Sequence, residues 1–174
     1  MKTRLIIIFC FLFLSIKANS QNDVFEIARK GSVEDLQLVL KNNPEAINNI
    51  NASGFTALTI ACYHGNEEVV AFLVNHVNNV NVTSNYGTPL MAAVVKDYLN
   101  IIKLLLSKEA DTNIADQNGS TALHYATIFN QVETVKLLVN AGAKTTLKDK
   151  SGQSALDYAM IKNNTQLITL LKNN

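Results

Sequence analysis

The chain has 174 residues, of which 48% are hydrophobic and 17% charged, with no tryptophan and a formal charge of +1. This composition is typical of a folded soluble domain. The near-neutral balance excludes a protein that binds polyanions through its net charge, so we expect no nucleic-acid partner.

The first twenty residues have the pattern of a secretory signal peptide. Two basic residues precede an apolar run over 5–16, and small residues at Ala18 and Ser20 mark a signal-peptidase site. The run is short for a bilayer span, which disfavours the alternative of a membrane anchor. We therefore predict a signal peptide at 1–20, cleaved after Ser20, and a periplasmic or secreted protein without stable membrane insertion after cleavage.

Cleavage would change both the charge and the cysteine content. It would leave 12 basic and 14 acidic side chains, a net charge near −2. It would also remove Cys10, so that Cys62 is the only cysteine left and the mature fold holds no internal disulfide.

One short pattern recurs at a fixed period after residue 22. Each copy opens with glycine and a hydroxyl residue and continues as two apolar helical turns: GFTALTIACYHG, GTPLMAAVVKD, GSTALHYATIFN and GQSALDYAMIKN. The hydroxyl residues follow one another at 32 or 33 residues and are Thr56, Thr88, Thr121 and Ser154. A period in this range indicates an array of structural repeats.

Each copy should form two helices. The first begins at the hydroxyl residue, which can cap free backbone N–H groups. Small residues on it should let the next repeat approach closely, and they are Ala61, Ala93, Ala126 and Ala159. The position between the two helices holds Gly65, Asp97, Asn130 and Asn163. Glycine, asparagine and aspartate are the residues that best tolerate a left-handed backbone, so a left-handed turn is expected there.

The pattern resembles the ankyrin repeat, which combines a glycine turn, T-P-L-H-x-A-A, V-x-x-L-L and G-A-x-x-N. TALHYA and VETVKLLVNAGA follow it closely, and VFEIARKGSVEDLQLVL is a degenerate upstream copy. The resemblance implies an all-α solenoid of about five helix-turn-helix repeats with β-turn fingers over 21–174. The repeats would cover about 22–50, 51–83, 84–115, 116–148 and 149–174. A missing residue between Gly87 and Thr88 predicts a shortened finger in the third copy.

The sequence lacks the common motifs of catalysis and metal binding. It contains no phosphate-binding loop, no G-x-S-x-G, no H-E-x-x-H and no paired cysteines. The histidines stand at different positions of the repeat, which disfavours a metal set, and they are His64, His76 and His124. We expect no catalytic residue, metal or cofactor.

Cys62 and His124 are the two residues that could be mistaken for reactive groups. The column of His124 otherwise holds Thr59, Met91 and Asp157, so it has no constant chemistry. The column of Cys62 should face inward, and its other members are Ala28, Val94, Thr127 and Met160. We therefore expect His124 to be structural and Cys62 to be an inert buried thiol.

The resemblance places a protein-binding surface on the concave face, formed by finger tips and the ends of the first helices. Large apolar or aromatic side chains fall there in the middle repeats: Phe55, Tyr63, Tyr86, Ile128 and Phe129. Polar and basic neighbours complete the predicted site: His64, Lys96, Gln117, Asn118 and Lys162. Clustered exposed apolar groups often mark an interaction surface. The alternative is that neighbouring repeats bury several of them, particularly Ile128 and Phe129.

We expect a monomer without enzymatic activity that binds a protein partner. Two classes of function remain open. One is a scaffold or binding module in the periplasm or outside the cell, and the other is an inhibitor or immunity protein that neutralises one toxin or enzyme. In a eukaryotic host, four sequons would be potential glycosylation sites, at Asn51, Asn81, Asn118 and Asn163.

Overall fold

The computed structural model describes residues 23–173, so the predicted signal peptide at 1–20 lies outside the described residues. These residues form ten α-helices and a 3₁₀ helix at Pro44–Asn48. The α-helices are α1 (Val24–Lys30), α2 (Val33–Asn42), α3 (Ala57–His64), α4 (Glu67–Leu73), α5 (Pro89–Val95), α6 (Leu99–Ser107), α7 (Ala122–Ile128), α8 (Val132–Asn140), α9 (Ala155–Ile161) and α10 (Thr165–Lys172).

The helices pack as pairs, and the pairs stack in chain order. The first helices α1, α3, α5, α7 and α9 each contact the next one along the series, and the second helices α2, α4, α6, α8 and α10 do the same. Between 23 and 173 there is no strand, and the extended pairing consists of three isolated bridges in the fingers. The predicted all-α solenoid of five repeats is confirmed.

Hydroxyl residues begin α3, α5, α7 and α9 as predicted. The side-chain oxygen of Thr56 accepts a hydrogen bond from the backbone N–H of Thr59 at 3.1 Å. Ser154 caps the start of α9 in the same way, with the N–H of Asp157 at 3.2 Å. Each bond satisfies a donor that the first turn of a helix leaves unpaired, so the local sequence determines where the first helix begins.

Small residues let the first helices approach one another closely. The alanine column is fully buried, and its members are Ala61, Ala93, Ala126 and Ala159. Cys62, Val94 and Thr127 are also fully buried in the next column, but Met160 is 42% exposed. The expectation that Met160 faces inward is wrong, because no further helix pair within the described residues packs over α9.

The turns within the last four helix pairs have the predicted left-handed backbone. Gly65 has a φ of 74°, and φ is also positive at Asp97 (55°), Asn130 (58°) and Asn163 (53°). A fifth residue, Glu109 after α6, has a φ of 57°. This residue stands one repeat before Gly142, whose φ is 86°, so a glutamate occupies a position that glycine fits without strain.

The finger of the third repeat is shorter than the others, as the missing residue predicts. In this finger, the Ser84 N–H donates to the Gly87 carbonyl at 3.0 Å, and the Gly87 N–H donates back at 3.1 Å. In the next finger, the corresponding bond runs from the Asp116 N–H to the Ser120 carbonyl at 2.9 Å and encloses one more residue. The deletion therefore produces a tighter hairpin and leaves the stacking of the helices intact.

Asparagine side chains tie successive repeats together along the finger side. Asn48 Oδ1 accepts from the N–H of Asn78 at 3.0 Å, and Asn81 Oδ1 accepts from the N–H of Asp111 at 2.9 Å. In the same way, Asn113 Oδ1 accepts from the N–H of Lys144 at 2.8 Å. These directional bonds fix the position of each repeat relative to the next, which apolar packing alone specifies less closely.

The left-handed backbone at Glu109 leads to a stability prediction. A left-handed conformation costs an L-residue with a Cβ about 1–2 kcal/mol, and glycine avoids this cost but loses more backbone entropy. We expect Glu109→Gly to raise the free energy of unfolding by about 0.5–1 kcal/mol, measured by urea denaturation. The matched control is Lys108→Gly, which should gain no stability because Lys108 has a φ of −103° and carries no left-handed strain. Equal stabilities of the two variants would contradict this explanation.

Candidate functional site

A groove of about 540 Å³ opens between the fingers and the C-terminal ends of the first helices. Six elements contribute side chains to it, and these include Arg29 from α1, Phe55 from a finger, Tyr63 and His64 from α3, Tyr86 from the short finger, Val95 from α5 and Tyr125 from α7. The repeat spacing places chemically different residues from neighbouring repeats side by side along this groove.

Phe55 and Tyr86 form an aromatic pair at the finger side of the groove. Their ring centroids lie 5.4 Å apart with an interplanar angle of 29°. Phe55 is half-buried, whereas 67% of Tyr86 is exposed. The Tyr86 N–H donates to Ser84 Oγ at 3.1 Å, so the tight hairpin fixes the backbone that carries the ring. The pair therefore presents apolar surface that residues 23–173 leave uncovered.

Tyr63 forms the helix side of the groove together with His64 and Lys96. Its ring lies edge-on to the ring of His64 at 5.4 Å, and Lys96 Nζ lies 4.4 Å from the centroid of the Tyr63 ring. This second distance is that of a cation–π contact. Tyr63 is 44% exposed, so the ring holds the ammonium group in place while both remain accessible to a partner.

Positive charge from Arg29 and Lys96 dominates the helix side of the groove. Partial desolvation lowers the pKa of His64 below its usual value, and the charges of Arg29 and Lys96 lower it further. The charge of Glu26 raises the pKa of His64, but the Glu26 carboxylate is already paired with Arg29 Nε at 3.3 Å. The arrangement suits a ligand group that is negatively charged or accepts hydrogen bonds.

Tyr125 closes the opposite end of the groove. Its hydroxyl donates to Asp116 Oδ2 at 2.5 Å, and burial followed by this bond raises the pKa of Tyr125 to about 12. The phenol therefore stays neutral and holds the finger of the fourth repeat against α7. Phe129 stacks on Tyr125 with centroids 6.4 Å apart and is 50% exposed, just outside the groove.

The structure brings together about half of the predicted site. Four predicted residues line the groove, and they are Phe55, Tyr63, His64 and Tyr86. Lys96 contacts Tyr63 from above its ring. The remaining predicted residues lie outside the groove lining: Gln117, Asn118, Ile128, Phe129 and Lys162. Of these, Ile128 is half-buried, as the alternative interpretation expects, and the other four are exposed.

Arg29 and Tyr125 are among the groove residues that the predicted site omitted. Arg29 stands in the degenerate first copy, where the repeat pattern is weakest. Its place at the end of a first helix nevertheless indicates that it belongs to the same surface as Tyr63 and His64. Tyr125 lies one helical turn before Phe129 and so faces the same side of α7. That spacing indicated a shared surface.

His124 is a structural residue that joins two repeats. It is 1% exposed, and Nδ1 accepts a hydrogen bond from the Thr121 N–H at 3.1 Å. The proton must then be on Nε2, which donates to the carbonyl of Gln153 at 3.2 Å in the next finger. This bond joins the fourth repeat to the fifth, in agreement with the structural role expected of His124.

Cys62 has the surroundings of an inert thiol. Its side chain is fully buried in the apolar core, and burial raises the pKa of the thiol above its usual value. The nucleophilic thiolate is therefore disfavoured at neutral pH. Over 23–173, no cluster of three or more histidine, cysteine or acidic side chains is arranged to hold a metal ion. None of the described helices has the length and hydropathy needed to cross a bilayer.

The fold and the groove define a helical repeat protein with a lined surface groove, and comparison with known proteins identifies its class. A family model described as "Ankyrin repeats (3 copies)" matches residues 24–116 and 108–174. The chain belongs to the ankyrin-repeat family. Repeats of this family generally mediate protein–protein interaction and are typically non-catalytic.

Curated relatives share the repeats within much longer proteins. The chain is 35% identical over 112 residues to human BCL-6 corepressor-like protein 1, covering 63% of the chain and 6% of that protein. It is 41% identical over 102 residues to rat ankyrin repeat and SAM domain-containing protein 6, covering 58% of the chain and 12% of that protein. With the Drosophila melanogaster ankyrin repeat and KH domain-containing protein mask, it shares 44% identity over 61 residues, which is 34% of the chain and 2% of that protein.

The hydrogen bonds of His124 predict the cost of removing its side chain. His124→Ala leaves the buried Thr121 N–H without its acceptor, which costs about 1–3 kcal/mol. It also removes one of the two hydrogen bonds to the Gln153 carbonyl, which still accepts from the Asp149 N–H at 2.9 Å. We expect a loss of that size in the free energy of unfolding by urea denaturation. His64→Ala is the control, because His64 is exposed and should change stability by less than about 0.5 kcal/mol. Similar losses in both variants would argue against the inter-repeat role of His124.

Burial of Cys62 predicts slow chemical modification. In native buffer at mildly alkaline pH, we expect a maleimide to leave Cys62 unmodified over a time in which it fully modifies the denatured chain, because both access and thiolate formation are suppressed. Mass spectrometry of the peptide that contains Cys62 measures the modified fraction. Rapid native labelling would show that the thiol is reactive.

Proposed function

We propose that the protein is a non-catalytic binding module that acts in the periplasm or outside the cell and holds a protein partner in the groove between the fingers and first helices. The groove of about 540 Å³, with partly exposed Tyr63 and Tyr86 beside Phe55, carries this proposal. Aromatic side chains that are rigidly held yet exposed are frequent hot spots of protein interfaces.

The location outside the cytoplasm rests on the sequence of 1–20. Its basic start, its apolar run and the small residues at Ala18 and Ser20 have the order found in secretory signal peptides. The mass of the protein recovered from its native host tests this part of the proposal. A mass that includes 1–20 would contradict it.

A more specialised form of this function is an inhibitor or immunity protein that covers the active site of one toxin or enzyme. The shape of the short finger favours this candidate, because Tyr86 projects with 67% of its surface exposed from a tight two-residue hairpin. A rigidly held ring of this kind can enter a cavity of a partner. An inhibitor would use the same groove as a scaffold, so the two forms differ in their effect on the partner.

Affinity purification from the exporting compartment distinguishes the scaffold from the inhibitor. A scaffold should recover a partner whose own activity is unchanged or improved by binding. An inhibitor should recover one toxic or hydrolytic protein and abolish its activity at a stoichiometric ratio. Enzymatic activity that remains with the purified chain itself, after every partner is removed, would contradict the non-catalytic assignment.

The exposure of Tyr86 predicts the size of its contribution to binding. We expect Tyr86→Ala to weaken binding of the recovered partner by about 2 kcal/mol, as truncation of a hot-spot aromatic does. The thermal unfolding of the free protein should change little. Isothermal titration measures the affinity.

Two lysines on the second helices provide matched controls for Tyr86→Ala. Lys103 in α6 and Lys136 in α8 are exposed and lie outside the groove lining. Their replacement by alanine should change the affinity by less than about 0.5 kcal/mol. A loss confined to these lysines would place the interface on the second-helix face and overturn the assignment of the groove.

A further inference from the structure

Three successive repeats place a basic side chain at one end of the groove. Arg29 comes from the end of α1, His64 from the end of α3, and Lys96 follows α5 directly. Arg29 and His64 line the groove, and Lys96 Nζ lies over the ring of Tyr63, which also lines it. We call Arg29, His64 and Lys96 the basic triad.

The basic triad is not neutralised within the part of the chain that the structure describes. Glu26 is the acidic group whose charge acts on His64, and it already contacts Arg29 Nε at 3.3 Å and Lys30 Nζ at 3.7 Å. The single negative charge of Glu26 is therefore shared by Arg29 and Lys30, and it does not balance the charge of Lys96 as well. Beyond 1–20 the sequence contains 12 basic and 14 acidic residues, so this local excess of positive charge runs against the balance of the chain.

Apolar contact surface adjoins the triad in the same groove. Tyr63 touches both His64 and Lys96, with the ring distances of 5.4 Å and 4.4 Å given above. On the finger side, the stacked rings of Phe55 and Tyr86 continue the surface. A ligand in the groove would therefore meet cations at one end and exposed aromatic rings along the rest.

We propose that the groove takes an extended segment of a protein partner in which an acidic side chain stands next to an aromatic or large aliphatic one. This inference rests on the proposed function and names the partner's chemistry. The carboxylate lies within the basic triad, and the apolar side chain packs on Phe55 and Tyr86. The cation–π contact holds Lys96 in position, so its N–H donors can reach a carboxylate with less loss of side-chain entropy.

Protonation of His64 gives this mode of binding a distinct pH dependence. The groups that face His64 are Glu26 and Arg29 on α1, Tyr63 beside it on α3, and Lys96 after α5. In the free protein, desolvation and the two cations keep its pKa low, whereas a bound carboxylate favours the charged imidazole and raises the pKa. Because the bound form has the higher pKa, affinity increases as the pH falls through that value and levels off below the pKa of the free protein.

Selection from a phage-displayed library of random short peptides tests the proposal on the purified protein. Peptides that bind the wild type are counter-selected against Tyr86→Ala, so that the recovered set depends on the groove. We expect aspartate or glutamate next to an aromatic or large aliphatic residue to be enriched. Groove-dependent peptides without an acidic residue would overturn the inference and leave the proposed function standing. If every recovered peptide bound Tyr86→Ala equally well, or if none bound the wild type, both would be overturned.

Fluorescence anisotropy with one synthetic acidic peptide from the selection then tests the triad directly. We expect Arg29→Gln and Lys96→Gln each to weaken binding by about threefold at low salt, as partly exposed ion pairs do. Lys103→Gln on the second-helix face is the charge-matched control and should have no effect. Equal losses in all three variants would show a general effect of net charge and overturn the role of the triad.

The pH dependence separates His64 from the two permanent cations. For the wild type, affinity should increase by about threefold between about pH 8 and about pH 6, and His64→Gln should flatten this change. The same peptide with its acidic residue replaced by the amide should bind wild type more weakly and without pH dependence. Wild-type binding that is independent of pH, or that weakens as the pH falls, would overturn the role of His64.

Discussion

Close approach of the first helices is the constraint on which the rest of this molecule depends. The alanine column has no exposed surface, and larger side chains at Ala61 or Ala126 would push adjacent repeats apart. A single helix pair cannot bury its apolar face alone, so folding requires stacking against neighbours. The groove is a consequence of the same packing, because it brings the C-terminal ends of successive first helices side by side.

Polar contacts between repeats add precision to this packing. The asparagine bonds recur at the first three junctions between repeats, and Asn66 Nδ2 also donates to the carbonyl of Gly31 at 2.9 Å. His124 supplies a further bond between the fourth and fifth repeats. Such bonds have narrow distance and angle requirements, so they fix how far one repeat is rotated against the next. The spacing of Arg29, His64 and Lys96 across three repeats depends on that rotation.

Departures from the regular repeat give the groove its individual chemistry. The missing residue after Gly87 tightens one finger, and Tyr86 projects from that finger onto Phe55. Asp97 stands where the second repeat has Gly65, keeps the left-handed turn and accepts a hydrogen bond from Thr134 Oγ1 in the next repeat at 2.9 Å. The regular positions hold the solenoid together, whereas the irregular ones decide what its surface can recognise.

The sequence by itself determined the number of repeats, the starts of the first helices and the left-handed turns. These features depend on interactions within a few residues, such as the cap at Thr56 or the tolerance of Asn130 for positive φ. Tertiary structure alone decided which exposed columns meet in one groove, because exposure depends on side chains that neighbouring repeats bring in. Packing placed Tyr125 in the groove and left Ile128 only partly exposed. Met160 stays exposed because no further repeat within 23–173 covers it.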